Sequence, residues 1–404
     1  MGSLVKTRLG LMMFLEYAIW GSCYVTLNTY LTSTLHFTGT QAGAAFGTTA
    51  LAALVAPFFV GLVADRFFAT ERVLAVLYAL GALCMLGLMH VTSFVSVYGL
   101  LLAFCLCFFP SIALTNSITM QQVVDPGRDF PPIRTMGTLG WIAINLMVGA
   151  MRIEADTTPF LLAAGLCGTM CIFSLVALPH TPPRARGQRV TVRSILGLDA
   201  LAMMKDRAYL IFVIASVLAC IPLTFYYSFT NAYFNDVGVV NAAGKMTLGQ
   251  MSEVVMLMAM PFVFRVLSVR NILVLGLGAW VLRYGLLAHG NAGTGMWMFY
   301  LAIVLHGVCY DFFFVSGQLY TDQEAPAHMR NTAQGFITLA TYGAGMLIGS
   351  FLSGYALDYF STTIDGVVSH DWPAFWLTSA AGSFAILLLV LIFFRTSKKI
   401  IAAR

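Results

Sequence analysis

Twelve apolar runs follow one another along the chain, each about as long as the roughly 20 residues a helix needs to cross a bilayer. They fall at 9–31, 41–64, 72–91, 94–118, 132–151, 158–179, 208–234, 246–267, 271–290, 295–317, 331–357 and 372–394. No water-soluble fold can hide so many. Only 10% of the 404 residues are charged and 59% are hydrophobic, whereas a soluble domain carries about 25% charged residues. Lipid must therefore cover most of the surface. The expected fold class is an all-α integral membrane protein of twelve transmembrane helices. No small-residue cleavage site follows the first run, so it reads as a retained helix rather than a removed signal.

The longest polar stretch, 180–207, divides the runs six and six. It gives a six-helix bundle over 1–179, a cytoplasmic linker over 180–207 and a second six-helix bundle over 208–404, the arrangement of a transporter built from two related halves. Lys and Arg set the orientation. With the N-terminus in the cytoplasm, 19 of the 22 basic residues fall on the cytoplasmic side, including Arg184, Arg186, Arg189, Arg193, Lys205 and Arg207 of the linker. Only Arg152, Lys245 and Arg283 do not. Glu154, Asp156, Asp236, Asp365 and Asp371 lie on the opposite side. Both termini are thus expected in the cytoplasm. The net charge of +5 is a consequence of this topology and gives no sign of a nucleic-acid partner.

Gly345 and Gly349, four apart on the eleventh run, should let a neighbouring backbone approach closely. The eight cysteines all sit in apolar runs without metal-type spacing and read as small buried hydrophobes. No Ser/His/Asp or Cys/His set lies at one depth, and His180 stands alone in a loop, which argues against an enzyme and against a bound metal.

Ionisable residues inside spans are costly and point to function. There are few: Glu16 on helix one, Glu253 on helix eight, Arg283 on helix nine, His306 and Asp311 on helix ten. The bland reading of each is a silent interhelical pair. Gln250 and Glu253 are three apart and so share a helical face. Asp311 follows Tyr310 and precedes two phenylalanines. Aromatic rings beside a carboxylate suit a flat polar ligand, and a carboxyl group held away from water can take up and release a proton.

Several motifs carry a family resemblance. Gly61-Leu62-Val63-Ala64-Asp65-Arg66 resembles the signature between helices two and three of the major facilitator superfamily, and assigns Asp65 and Arg66 to a cytoplasmic gate. More specific segments are spread in order over the whole chain. They are Trp20-Gly21-Ser22, Asp129-Phe130-Pro131-Pro132-Ile133-Arg134 with Gly137-Thr138, and Leu196-Gly197-Leu198-Asp199-Ala200. Further on come Ser252-Glu253, Asp311-Phe312-Phe313 with Ser316-Gly317, and Ala333-Gln334-Gly335. These resemble the nucleoside:H+ symporter family of that superfamily.

The resemblance implies the major facilitator fold and a proton-driven importer of nucleosides in a bacterial inner membrane, working as a monomer by alternating access. It implies no cofactor beyond the proton gradient. It places Arg134, Thr138, Trp141, Gln250, Glu253, Tyr310 and Asp311 in the substrate region, with Glu253 and Asp311 also carrying the proton. The chain departs from the family pattern at Thr224 and Tyr227, which stand where amide side chains are expected, at His306 in place of a tyrosine, and at Glu16 in place of a glutamine. These departures leave a sugar or another small polar metabolite as the alternative cargo.

Overall fold

The computed structural model describes residues 3–59, 68–182, 198–326, 329–365 and 367–396. Helices stand at all twelve expected positions. The first is α1, Leu4–Thr34. Then come α2, Gly39–Phe59; α3, Thr70–Leu88; α4, Phe94–Gln122; α5, Pro126–Met151; and α6, Thr158–Val176. After the linker come α7, Arg207–Asp236; α8, Ala242–Val266; α9, Val269–His289; and α10, Met296–Glu324. The last two are α11, Thr332–Tyr359, and α12, Trp372–Phe393. Ten of these are long and apolar enough to cross a membrane by length and composition. The other two are α2, whose description stops at Phe59, and α5, whose first turns carry Arg128, Asp129 and Arg134.

The chain divides into two compact units. One comprises Met1–Phe37 with Ala44–Val192, the other Thr38–Gly43 with Arg193–Arg404. Inside the first unit, α1 packs along α5 and α6, and α3 along α4 and α6. Inside the second, α7 packs along α11 and α12, and α9 along α10 and α12. The same pattern thus recurs six helices later, as an internal repeat requires. Gly345 and Gly349 do bring backbones together. A Cβ on Gly345 would lie 2.8 Å from the Val217 carbonyl oxygen, and one on Gly349 would lie 2.6 Å from Thr224 Oγ1, so no larger residue fits the α7–α11 seam.

Local signals explain the helix ends. Asp125, Asp206 and Asp371 cap α5, α7 and α12 by accepting from backbone N–H groups of the first turn. Asp358, near the end of α11, accepts from the N–H groups of Gly39 (2.5 Å) and Thr40 (2.7 Å), residues that group with the second unit. His180 is not isolated: its Nδ1 lies 2.7 Å from Glu71 Oε1 at the start of α3. Residues 361–370 fall between the last two apolar runs, and within them β1 (Ser361–Ile364) pairs antiparallel with β2 (Val367–His370) as a hairpin. Asp365 takes a left-handed conformation at its turn (φ 51°).

Lengths also differ from the apolar runs. The fifth run was expected from 132, but α5 starts at Pro126. Arg134, counted above with the cytoplasmic basic residues, therefore stands two turns inside a helix. The Gly61–Phe67 motif with Asp65 and Arg66, and linker residues 183–197, lie outside the described residues.

Candidate functional site

The second unit gathers its ionisable residues where α8, α9 and α10 meet. Close approach of α8 and α10 comes from Gly307, where a Cβ would lie 2.5 Å from the Ser252 carbonyl oxygen. The Gly307 N–H also donates to Ser252 Oγ (3.0 Å). This contact sets Glu253, next in sequence to Ser252, beside His306, next to Gly307. His306 Nε2 is 4.0 Å from Glu253 Oε2.

Arg283 supplies the third member. It is fully buried on α9 and its Nη1 donates to His306 Nδ1 at 3.0 Å. A guanidinium has no lone pair to offer, so Nδ1 must accept. The ring proton then resides on Nε2, the nitrogen facing Glu253. Tyr226 holds both partners: the guanidinium carbon sits 3.5 Å from its ring centroid, and the His306 ring stacks on it at 5.5 Å. Tyr227 meets His306 edge-on at 6.0 Å, and Tyr310 lies 5.8 Å away.

Tyr310 is the last residue of α10 before the helix widens into a π turn over Asp311–Val315. Such turns recur at functional sites because they rotate side chains off the regular helical register. A second π segment, Leu339–Gly345 on α11, carries Tyr342, whose hydroxyl is hydrogen-bonded to that of Tyr310. Asp311 itself is fully buried, and neither of its carboxyl oxygens has a hydrogen-bond partner among the described residues. Buried polar groups are almost always bonded, so this one calls for a functional explanation.

The other expected residues fall as follows. Gln250 is half-buried on α8, one helical turn from Glu253. Thr224 is placed elsewhere. Its hydroxyl donates to the Cys220 carbonyl (2.7 Å) and its side chain packs in the α7–α11 seam against Gly349. In the first unit, the Arg134 guanidinium lies 4.0 Å from the Tyr17 ring centroid, with Thr138 one turn further along α5 and half-buried. Trp141 tilts towards Tyr24 at 6.5 Å, and Tyr24 stacks on Trp20 at 4.4 Å. Tyr17, Tyr226 and Tyr342 were not singled out from the sequence. Nothing distinguishes them there from the many tyrosines of a membrane protein.

A cavity of about 440 Å³ in the second unit lies away from this cluster. Its wall includes Ile221, Pro222, Phe225, Tyr355 and Tyr359 and no acid or base, so it has little with which to read a polar solute. Among the described residues no group of three His, Cys, Asp or Glu side chains could hold a metal ion.

Two repeated six-helix units with buried acid, base and aromatic groups inside the spans have the build of a multi-pass membrane transporter. Comparison with known proteins gives the family. Residues 3–399 match the model described as "Nucleoside H+ symporter", and the chain belongs to that family, one of transporters of the major facilitator fold rather than enzymes. It is 40% identical to the "Putative nucleoside transporter YegT" of Escherichia coli K12, over 98% of this chain and 95% of that protein. It is 33% identical to the "Xanthosine permease" of the same organism, over 96% of this chain and 95% of the relative. The crystal structure of the nucleoside transporter NupG superposes with a TM-score of 0.89 at 28% identity, covering 97% of this chain and all of that one.

Proposed function

We propose that the chain is a proton-coupled importer of nucleosides, and that its C-terminal unit carries both the coupling acid and a substrate-reading surface. The observation that carries this reading is Asp311, an unpartnered carboxyl wholly buried in a spanning helix, beside an aromatic and histidine cluster. An ionised carboxylate without donors is expensive in such a place. A bound proton removes the charge, and the free energy of binding that proton can then favour one conformation over the other.

Glu253 and Gln250 offer two acceptors and one amide donor on one face of α8, which suits ribose hydroxyls and the edge of a base. His306, with its tautomer set by Arg283, offers an N–H from Nε2 on the same side as Glu253. Tyr227 and Tyr310 supply stacking faces. Thr224, in the α7–α11 seam, is proposed to touch substrate only if that seam opens. In the first unit, Arg134, Thr138 and Trp141, a cation, a hydroxyl and an indole, are proposed as substrate contacts on the strength of the family resemblance. Asp65 and Arg66 are proposed as the cytoplasmic gate on the strength of their motif. Transport proceeds by alternating access of two halves, 1–179 and 208–404, joined by the linker 180–207. The protein works as a monomer in the bacterial cytoplasmic membrane with both termini inside, and uses the proton gradient with no other cofactor.

The test is uptake of radiolabelled uridine and adenosine by cells expressing the chain, with sugars of similar size as competitors. Protonophore-sensitive nucleoside accumulation that sugars do not reduce is expected. Competition by a sugar, or accumulation indifferent to the protonophore, overturns the reading.

A further inference from the structure

The coupling scheme above uses acids of the second unit only. In the first unit, one carboxyl with no exposed surface lies well inside a spanning helix and is left over. Glu16 on α1 has no exposed surface and makes no ion pair among the described residues. Its Oε2 accepts from the Tyr78 hydroxyl of α3, and its Oε1 accepts from Ser111 Oγ of α4 at 2.8 Å. Tyr78 and Ser111 also meet each other, hydroxyl to hydroxyl at 3.0 Å, and Ser111 Oγ lies 2.7 Å from the Phe108 carbonyl oxygen.

These four contacts outnumber the protons available to fill them, and the surplus has a consequence. Each hydroxyl has one proton to give. With Glu16 ionised, Tyr78 donates to Oε2 and Ser111 donates to Oε1, and the carboxylate has two donors. With Glu16 protonated, its own O–H donates to the Tyr78 oxygen, Tyr78 turns its proton to Ser111 Oγ, and Ser111 turns its proton to the Phe108 carbonyl. Every proton again has an acceptor. The same heavy-atom positions therefore give every proton an acceptor in both protonation states, the neutral state giving up only the donor to Oε1, and the change between them is the rotation of two hydroxyls. An acid that stays ionised through the cycle makes no use of this second arrangement.

We propose that Glu16 is a second proton-carrying group of the transport cycle, loaded and unloaded through the hydroxyl pair of Tyr78 and Ser111. The proposal rests on the symport reading above. In the loading step one proton adds to a Glu16 carboxylate oxygen, the group goes from an anion to a neutral acid, and no other bond is made or broken. The titratable groups around it are Tyr17 on α1, Tyr78 on α3, Cys167 on α6 and Arg134 on α5. Arg134 is the one permanent charge among them. It rests on the ring of Tyr17, the neighbour of Glu16, and acts on the carboxyl electrostatically without bonding to it. Neutralising Glu16 leaves the Arg134 charge uncompensated and available to a solute. The first unit thereby acquires its own link between proton and substrate.

The experiment compares wild type, Glu16→Gln and Tyr78→Phe in proteoliposomes and by pH-difference infrared spectroscopy. Glutamine keeps the shape of the protonated acid and can donate to Tyr78 as that acid does. Glu16→Gln is expected to import nucleoside with one proton fewer per molecule, read from the reversal potential, and to lose one titrating carboxyl band. Tyr78→Phe is expected to shift the midpoint of that band without removing it. An unchanged proton ratio in Glu16→Gln overturns the proposal, as does a wild-type spectrum that keeps all its carboxyl bands in the variant. The infrared comparison needs no substrate. Absence of proton-driven nucleoside uptake by the wild type would strike the symport reading instead, and the band would still report whether Glu16 binds a proton.

Discussion

His306→Phe removes both ring nitrogens while keeping a flat ring of similar size on Tyr226. What is lost is the bond from Arg283, 3.0 Å long and with a charged donor in a fully buried place. Charge-assisted hydrogen bonds are worth about 1.5–3 kcal/mol in soluble proteins. Interhelical hydrogen bonds in membranes average about 0.6 kcal/mol and reach about 1.7 kcal/mol, because the separated helices find other partners. The Arg283–His306 bond should stand near the upper membrane value, since the donor is charged and no water replaces the partner. The isolating comparison is a double-mutant cycle with Arg283→Met, which removes the guanidinium and its contact with Tyr226. Unfolding of wild type, both single variants and the double variant in mixed detergent micelles should give a coupling free energy of about 1.5 kcal/mol. Each single variant should be worse than half of the double, because each leaves one buried polar partner unmatched. Additivity within about 0.3 kcal/mol would refute the claim that Arg283 fixes the histidine tautomer.

Three other expectations follow from the same geometry. Glu253→Gln should weaken nucleoside binding about tenfold or more by calorimetry, the loss of a charge-assisted bond of about 1.5–3 kcal/mol, and unchanged affinity would remove Glu253 from the site. Tyr310→Phe and Tyr342→Phe should each cost about 1 kcal/mol of stability, with the double variant costing less than the two together, because their hydroxyls satisfy one another. Asp358→Ala should lower the melting temperature through a loss of about 1–2 kcal/mol at the start of α2, whereas Asp358→Asn should retain most of it. Equal melting of all three proteins would show that the cap contributes nothing.

Much of the fold was legible because the bilayer leaves few choices. Twelve runs of sufficient length become helices wherever water is absent, since only a helix satisfies its own backbone in hydrocarbon. The runs still misplace helix ends: α5 begins six residues before its apolar run, because Asp125 and Pro126 start it and the charged Arg128–Arg134 turns continue it. The hairpin at 361–370 hides from a hydropathy reading. Its signal is chemical, an Asp-Gly pair at 365–366 between β-branched residues.

The site divides along the same lines. Glu253, His306 and Asp311 announce themselves because an ionisable group inside a span is rare. Arg283 is equally conspicuous, but its partner is not. Which face of α9 meets α10 depends on how two helices rotate against each other, and Gly276 on α9, where a Cβ would lie 3.1 Å from Phe312 Cβ, shows how that packing is set. Tyr226 and Tyr342 carry no signal of their own, and neither does the π turn that begins at Asp311. Thr224 shows the converse: alignment with the family points to it, while the packing uses its side chain against Gly349.

The central claim is that a proton on Asp311 drives nucleoside uptake. It is tested most directly in proteoliposomes with an acid exterior, wild type against Asp311→Asn, with labelled nucleoside outside. Wild type should concentrate the nucleoside above its external level while the gradient lasts. Asp311→Asn should reach a lower accumulation, limited to what the remaining proton can drive, and Asp311→Asn combined with Glu16→Gln should exchange nucleoside across the membrane yet never exceed equilibrium. Accumulation by Asp311→Asn equal to that of wild type, or uphill accumulation by the double variant, in response to the same gradient would contradict the account.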